Sequence, residues 1–379
     1  MIPRPPARRA RMGVFALVVA AATLSSCTPP PTLTPQQSVE RIIGFVERAR
    51  GHEFVTDPVV TFASEATFRQ AVLDNVATMK PVVDAAEPIF HALGWLDAGR
   101  DLYQTYQLAF GGAVVGFYDP VTKVLFVRGT SVTPYRREVI AHELTHALDD
   151  QLFGLDESFD DGLLGERTFA SLVAIEGSAS RVQQSYVGSM SAVEQLQDLA
   201  EQLNLGSDPA LLSVPLALLS FMQAPYLRGA TFVGQVAAAV GGGTAGLDAA
   251  LIRYPRTAEQ AFDTAKYLVD EPAVAVATPP IEPGGTAVGS GTWGQFLLTA
   301  LIRSGLALDS VDPATVGWAG DAYVTWVAGS QSCFRLDVAM DTPSRASSLR
   351  SALGTWLSTR PAASVLDLGA AMTRITSCG

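Results

Sequence analysis

The residues best equipped for chemistry are His142, Glu143 and His146 in the run His142-Glu143-Leu144-Thr145-His146. Inside a helix, positions i and i+4 lie on one face, so both imidazoles point at the same spot. Two neutral imidazoles make half of a tetrahedral Zn²⁺ site. Glu143, one residue round the helix, falls beside that spot rather than on it, where a general base acting on a metal-activated water would sit. With only four histidines in the chain, this pattern would arise by chance about two times in a thousand. Val139, Ile140, Leu144, Ala147 and Leu148 make the segment apolar around much of its circumference, which predicts a buried helix.

Such a site needs a third ligand. A third histidine at the spacing H-E-x-x-H-x-x-G-x-x-H is excluded, because Asp149 and Leu152 occupy the Gly and His positions. His52 and His91 read as ordinary surface or core histidines. An acid downstream is the natural candidate. Glu176 is a lone charge in the apolar, small-residue run 171–179, and a carboxylate buried there calls for a cation. Glu166 is the runner-up, in a more polar turn, and Asp160 and Asp161 are weaker candidates.

The elements that must hold these residues follow from periodicity. Helical patterns run over 38–50, with Ser38 as N-cap, and over 66–79, 82–93, 136–153, 168–187 and 190–203. The stretch 211–222 is apolar but interrupted by Pro215, and 232–240 is a helix stopped by Gly241-Gly242-Gly243. Helices at 292–306 and 343–357 follow. A short strand is expected at 59–62, a hairpin from 114–118 and 124–127 through the turn 119–123, and a second hairpin from 322–327 and 333–338. The Pro-, Gly- and Ala-rich stretch 271–291 reads as a linker or long loop.

The chain of 379 residues is 48% apolar and 17% charged, enough for a sizeable core. Its net charge of −11 argues against nucleic acid as a partner. Residues 1–26 have the form of a signal segment: Arg4, Arg8, Arg9 and Arg11 precede an apolar run at 13–24 that is too short to span a bilayer. It ends in Leu24-Ser25-Ser26-Cys27, which resembles the bacterial lipobox, so Cys27 is the expected lipidation site. Cleavage there removes those four arginines and takes the net charge from −11 to −15. A body so acidic would be held at a membrane by a lipid rather than by electrostatic adsorption. The Pro-rich segment 27–37 reads as a semi-rigid tether. Cys333 and Cys378 remain, and outside the cytoplasm they are expected to pair.

With these residues in view, a resemblance stands out. His142-Glu143-x-x-His146 with a downstream helical glutamate resembles the gluzincin zinc metallopeptidases, which include the thermolysin-like enzymes. The runs Gly116-Phe117-Tyr118-Asp119-Pro120, 139–151 and Glu176-Gly177 resemble a group of predicted bacterial, membrane-anchored zinc metallopeptidases. Pro225-Tyr226-x-x-Gly229, Pro255-x-Thr257-x-Glu259-Gln260 and Gly317-Trp318-x-Gly320-Asp321 are similar to that group too; the resemblance spans roughly 110–340. It implies an α+β, predominantly helical, zincin-like fold with a short antiparallel sheet before the histidine helix. The expected organisation is a signal segment 1–26, a tether 27–37, a catalytic body 38–280 and a smaller α+β region 281–379 packed on it. It implies one Zn²⁺ per chain on His142, His146 and Glu176, Glu143 as base, and hydrolysis of a peptide or protein substrate at the outside of a bacterial membrane. The hairpin before the zinc helix would either be the edge to which a substrate strand adds or serve structural pairing alone.

For stabilising the oxyanion, Tyr226 is the leading candidate, beside Arg228, Tyr186 and Tyr323. Asp321, Trp318 and Glu259 read as structural. Thermolysin-like enzymes orient the first histidine with an acid one turn after the third ligand; here Ser180 stands at that position, and Asp149 or Asp150 would have to serve instead. The rival from another class is a zinc-bound envelope lipoprotein without turnover, acting as a scaffold or binding protein.

Overall fold

The computed structural model describes residues 33–155, 161–206 and 211–379. The signal segment, Cys27, most of the tether and Asp160 lie outside the described residues. The chain is α+β with helix predominating, as the periodicities predict.

Helix α1 (Pro35–Arg50) is capped by Thr34, not Ser38: the Thr34 hydroxyl accepts from Gln37 N, and the Gln37 side chain accepts from Thr34 N. This capping box draws the helix start three residues upstream. Strand β1 (Val59–Ala63) leads to α2 (Glu65–Thr78), α3 (Lys80–Leu93) and α4 (Leu102–Ala113). Strands β2 (Gly116–Asp119) and β3 (Val124–Arg128) form the expected antiparallel hairpin. The first sheet is mixed, however, because β1 joins β3 in parallel and the strand order is β1-β3-β2. That leaves β2 at an edge. It faces α5 (Pro134–Phe153), the histidine helix. A Cβ on Gly116 would sit 2.9 Å from Val139 Cγ1, so glycine is what lets this edge lie against α5.

Helices α6 (Glu166–Ser189) and α7 (Ala192–Gly206) follow. The two segments expected at 211–222 and 232–240 are largely one helix, α8 (Leu216–Ala239), which runs through Pro225. Its exposed stripe itself carries apolar residues, Leu216, Tyr226 and Leu227 among them, so no amphipathic period marks its length. Helices α9 (Gly243–Ile252), α10 (Ala258–Phe262) and α11 (Thr264–Leu268) complete the helical part. Helices α6 and α8 touch backbone to backbone: a Cβ on Gly177 would lie 2.4 Å from Gly229 O, and one on Gly229 would lie 2.5 Å from Val173 O.

The C-terminal part is a five-stranded sheet of order β4-β5-β6-β8-β7, formed by β4 (Thr286–Gly291), β5 (Trp318–Ala328), β6 (Gln331–Met340), β7 (Ser364–Gly369) and β8 (Met372–Cys378). Helices α12 (Gly294–Ile302) and α13 (Pro343–Ser358) accompany it. The stretch expected as linker, 271–291, thus ends in a sheet strand, whose Gly-Ser-Gly run carries little β signal. Cys333 and Cys378 are register partners on β6 and β8 and are disulfide-bonded. In the chain-entropy model, closing that loop is worth about 4 kcal/mol. One hydrophobic core runs from Val83, Phe90 and Leu93 on α3 through Trp293 and Phe296 to Phe334 and Leu336 on β6. The core is continuous across residue 281. No single helix among the described residues is long and apolar enough to cross a membrane.

Candidate metal centre

Helix α5 is buried over most of its length, including both histidines. Its N-terminus is fixed by Thr133, whose hydroxyl accepts from Arg136 N, and its C-terminus by Gly154 in the left-handed region. His142 and His146 stand one turn apart, with Nε2 atoms 3.0 Å from each other. Glu176 arrives from α6, with Oε2 3.0 Å from His142 Nε2 and 3.4 Å from His146 Nε2. The edges of a tetrahedron with zinc–ligand bonds of normal length measure about 3.3–3.5 Å. The triangle of donor atoms is therefore close to one face of such a tetrahedron. Two imidazole nitrogens at 3.0 Å repel unless a proton or a cation lies between them. The three residues fit a small divalent metal, and zinc suits the two-nitrogen, one-oxygen set.

The electrostatics follow from burial. Burial alone would raise the Glu176 carboxyl, but His146 and His142 hold it well below the usual carboxylate range. Burial pushes Glu143 up and the Glu176 charge adds to that, against the pull of the two imidazoles and of the Tyr118 N–H. Glu143 Oε2 accepts from that N–H at 2.8 Å. The edge strand β2 thus turns an outward-facing backbone donor onto the candidate base.

Sequence reasoning missed the residue that orients His142. Its Nδ1 lies 3.0 Å from Gln183 Oε1, on α6 two turns beyond Glu176. Gln183 in turn hydrogen-bonds the buried Glu138, one turn before His142 on α5. Glu138 also accepts from Gln202 Nε2 at 3.0 Å. Burial, then the neighbouring Asp198, push its carboxyl up to about 7. If the Gln183 amide nitrogen points to Glu138, its oxygen must face His142, which places the His142 proton on Nδ1 and the lone pair on Nε2, toward the metal position. An acid one turn after Glu176 is the spacing to look for in sequence; an amide two turns away, backed by an acid on the other helix, has no such signature.

Asp149 and Asp150 do other work. Asp149 is buried and takes Arg50 Nε at 2.8 Å and the Ser178 hydroxyl. Arg50 continues to Asp248, which also meets His52 at 2.8 Å, tying α1, α5 and α9 together. Asp150 accepts from the Tyr118 hydroxyl at 2.7 Å and from Lys123, clamping the hairpin to α5. Glu166 is buried far from the imidazoles, with Oε1 taking the Ala258 N–H; burial, then Asp321, lift it well above the carboxylate range. Asp161 accepts from Arg167 N and Thr168 N at the start of α6. The alternatives to Glu176 that lie in the described residues are thus committed elsewhere.

Tyr226 stands at the site. Its ring stacks on His142 at 5.6 Å between centroids. Arg228 does not face the site: it donates to Ala261 O, Phe262 O and Gln235. Tyr186 packs on Phe45, and Tyr323 lies between Trp293 and Phe334. Asp321 is structural, accepting from Trp293 N, Gly294 N and Trp318 Nε1. Glu259 pairs with Lys266, while Thr257 caps that helix. His91 lies 3.3 Å from Leu96 O.

A family model described as a domain of unknown function (DUF8575) matches residues 281–377. That match covers the five-stranded sheet with α12 and α13, and none of the site residues. No curated protein and no solved structure matches the chain.

Proposed function

We propose that this chain is a zinc-dependent metallopeptidase of the gluzincin type with a zincin-like catalytic fold. It would cleave peptide bonds at the outside of a bacterial membrane, to which Cys27 anchors it. The observation that carries the reading is a convergence: Glu176, from a separate helix, meets His142 and His146, while Glu143 is held beside them by the edge strand.

His142, His146 and Glu176 would hold the ion. Zinc there supplies Lewis-acid activation of a water molecule and of the scissile carbonyl. Glu143 takes the proton from the water and passes it to the leaving amine. Its burial suits the task, because a carboxylate shielded from bulk water keeps the proton transfer within the site. The Tyr118 N–H fixes one carboxylate oxygen and so aims the other. As the edge strand of its sheet, β2 would offer an extended peptide the outward backbone groups that Glu143 does not take. Tyr226, whose ring stacks on that of His142, would donate its hydroxyl to the developing oxyanion.

The scaffold alternative differs at Glu143, which a purely structural zinc site does not require. The test is zinc content and peptide-library cleavage for the wild type, Glu176→Ala and Glu143→Gln. Glu176→Ala should lose zinc. Glu143→Gln should keep zinc and lose about 10²–10⁴-fold in cleavage. Undiminished cleavage by Glu143→Gln would sink the enzyme reading.

A further inference from the structure

Helix α7 is amphipathic in the reverse sense. Its charged residues turn toward the protein: Glu194 pairs with Arg137 at 2.6 Å, Glu201 lies 4.0 Å from Arg136, and Asp198 is buried. Its apolar residues turn outward: Val193, Leu196, Leu199 and Leu203 are 65%, 68%, 50% and 66% exposed. At 100° per residue these four fall within one third of the helix circumference. The exposed positions of α7 include no charged residue, in a chain of net charge −11. A large outward leucine face on a monomer marks a binding surface.

The course of the chain says what covers it. Arg50, at the end of α1, meets Asp149 near the C-terminus of α5. Phe45, earlier in α1, packs on Tyr186 near the C-terminus of α6, and Tyr186 bonds Arg137, the partner of Glu194 on α7. The N-terminus of α1 therefore points to the end of the molecule that carries α7. Thr34 is seven residues from Cys27, a span of at most about 25 Å. A lipid on Cys27 would keep the bilayer within that distance of this end.

We propose that the outward face of α7 is a membrane-docking surface that lies in the interface of an uncharged bilayer region. An apolar face without charge of either sign needs no anionic lipid and escapes the repulsion that the acidic body would meet. The proposal rests on the lipid-anchor reading of Cys27. Because α7 is clamped to Arg136, Arg137 and Glu138 of the histidine helix, docking would also hold the metal centre at a fixed height above the lipid. The substrates favoured would be membrane-proximal segments.

The test is photocrosslinking of the full chain, purified from membranes, in phosphatidylcholine vesicles whose acyl chains carry a diazirine, with adducts mapped by mass spectrometry. Adducts are expected on the peptide spanning 192–206 and not at Val121, which is 87% exposed on the β2–β3 turn. A Leu196→Glu/Leu203→Glu variant should lower the α7 yield several-fold with the melting temperature unchanged. An α7 free of lipid adducts overturns the proposal, as does a dimer of the full chain in detergent that Leu196→Glu/Leu203→Glu dissociates, which would make a second copy the occupant. The mass of the Cys27 peptide scores the anchor separately: a missing acyl chain removes the anchor, while α7 adducts on vesicles still uphold the face.

Discussion

At the scale of single residues, the metal centre depends on a proton it does not itself hold. His142 can offer Nε2 only if Nδ1 carries the hydrogen, and Gln183, steadied by Glu138, sets that tautomer. Partners of this kind are worth about 10–100-fold in metal affinity. Gln183→Ala and Glu138→Leu should each weaken zinc binding by about that factor in a chelator competition. Gln183→Glu, which keeps an acceptor for Nδ1–H, should restore most of it. Wild-type affinity in all three variants would remove Gln183 from this role. The ligands themselves were legible because chemistry restricts them to few residue types at fixed spacing. Gln183 was not, because a neutral amide on a helix surface is common and only its distance to His142 gives it meaning.

At the scale of elements, the site is made by two close approaches, and glycine enables both. Gly116 lets β2 reach α5, and the Gly177–Gly229 pair lets α8 lie on α6 beside Glu176. Tyr226 on α8 reaches the His142 ring from this position. In Gly229→Ala the new Cβ would meet Val173 O and the Gly177 backbone, so α8 must move away. Overpacking of this kind costs about 1–3 kcal/mol. The expected result is a lower melting temperature together with weakened zinc binding, since Glu176 neighbours the contact. A variant that melts lower but binds zinc as before would show that α8 does not hold the ligand in place. Helices α1, α5 and α13 each open on a Thr N-cap followed by Pro, a start that sequence can mark, and α1 also buries one stripe, Val39, Ile42 and Val46. Helix α8 is hard to see in sequence because Pro215 breaks the apolar stretch that leads into it, Pro225 falls inside it, and its exposed stripe carries Leu216, Tyr226 and Leu227. Strands β4 and β7 are weakened by Gly, Ser and Asp, and β8 buries Thr373 and Ser377 beside Ile375, so no apolar alternation marks it.

At the scale of the whole molecule, burial of acids sets how stability varies with pH. Burial raises Glu138 and Glu259 to about 7 and Asp321 to about 6, and lifts Glu166 well above its ordinary value. Each of these groups binds its proton more tightly folded than unfolded. Such a group contributes stability that is fully present below the unfolded value of about 4.5 and is lost as pH rises through the folded value. The sequence showed the acidic excess but not which acids the core encloses, because enclosure depends on α10 and α12 closing over Glu166 and Asp321. Glu194, held down near 2 first by Arg137, acts in the opposite sense, but only below its unfolded value near 4.5. Between pH 5.5 and 8 the buried acids therefore dominate, and self-repulsion of the acidic chain adds in the same direction. The chelator-treated protein should melt several degrees higher at pH 5.5 than at pH 8. A Glu138→Gln variant should show a shallower dependence, since it removes one of the titrating groups. A melting temperature that is flat or rises over this range would mean that the buried carboxyls are ionised at no cost, and the core around Glu138, Glu166 and Asp321 would then have to be wetter than the packing allows.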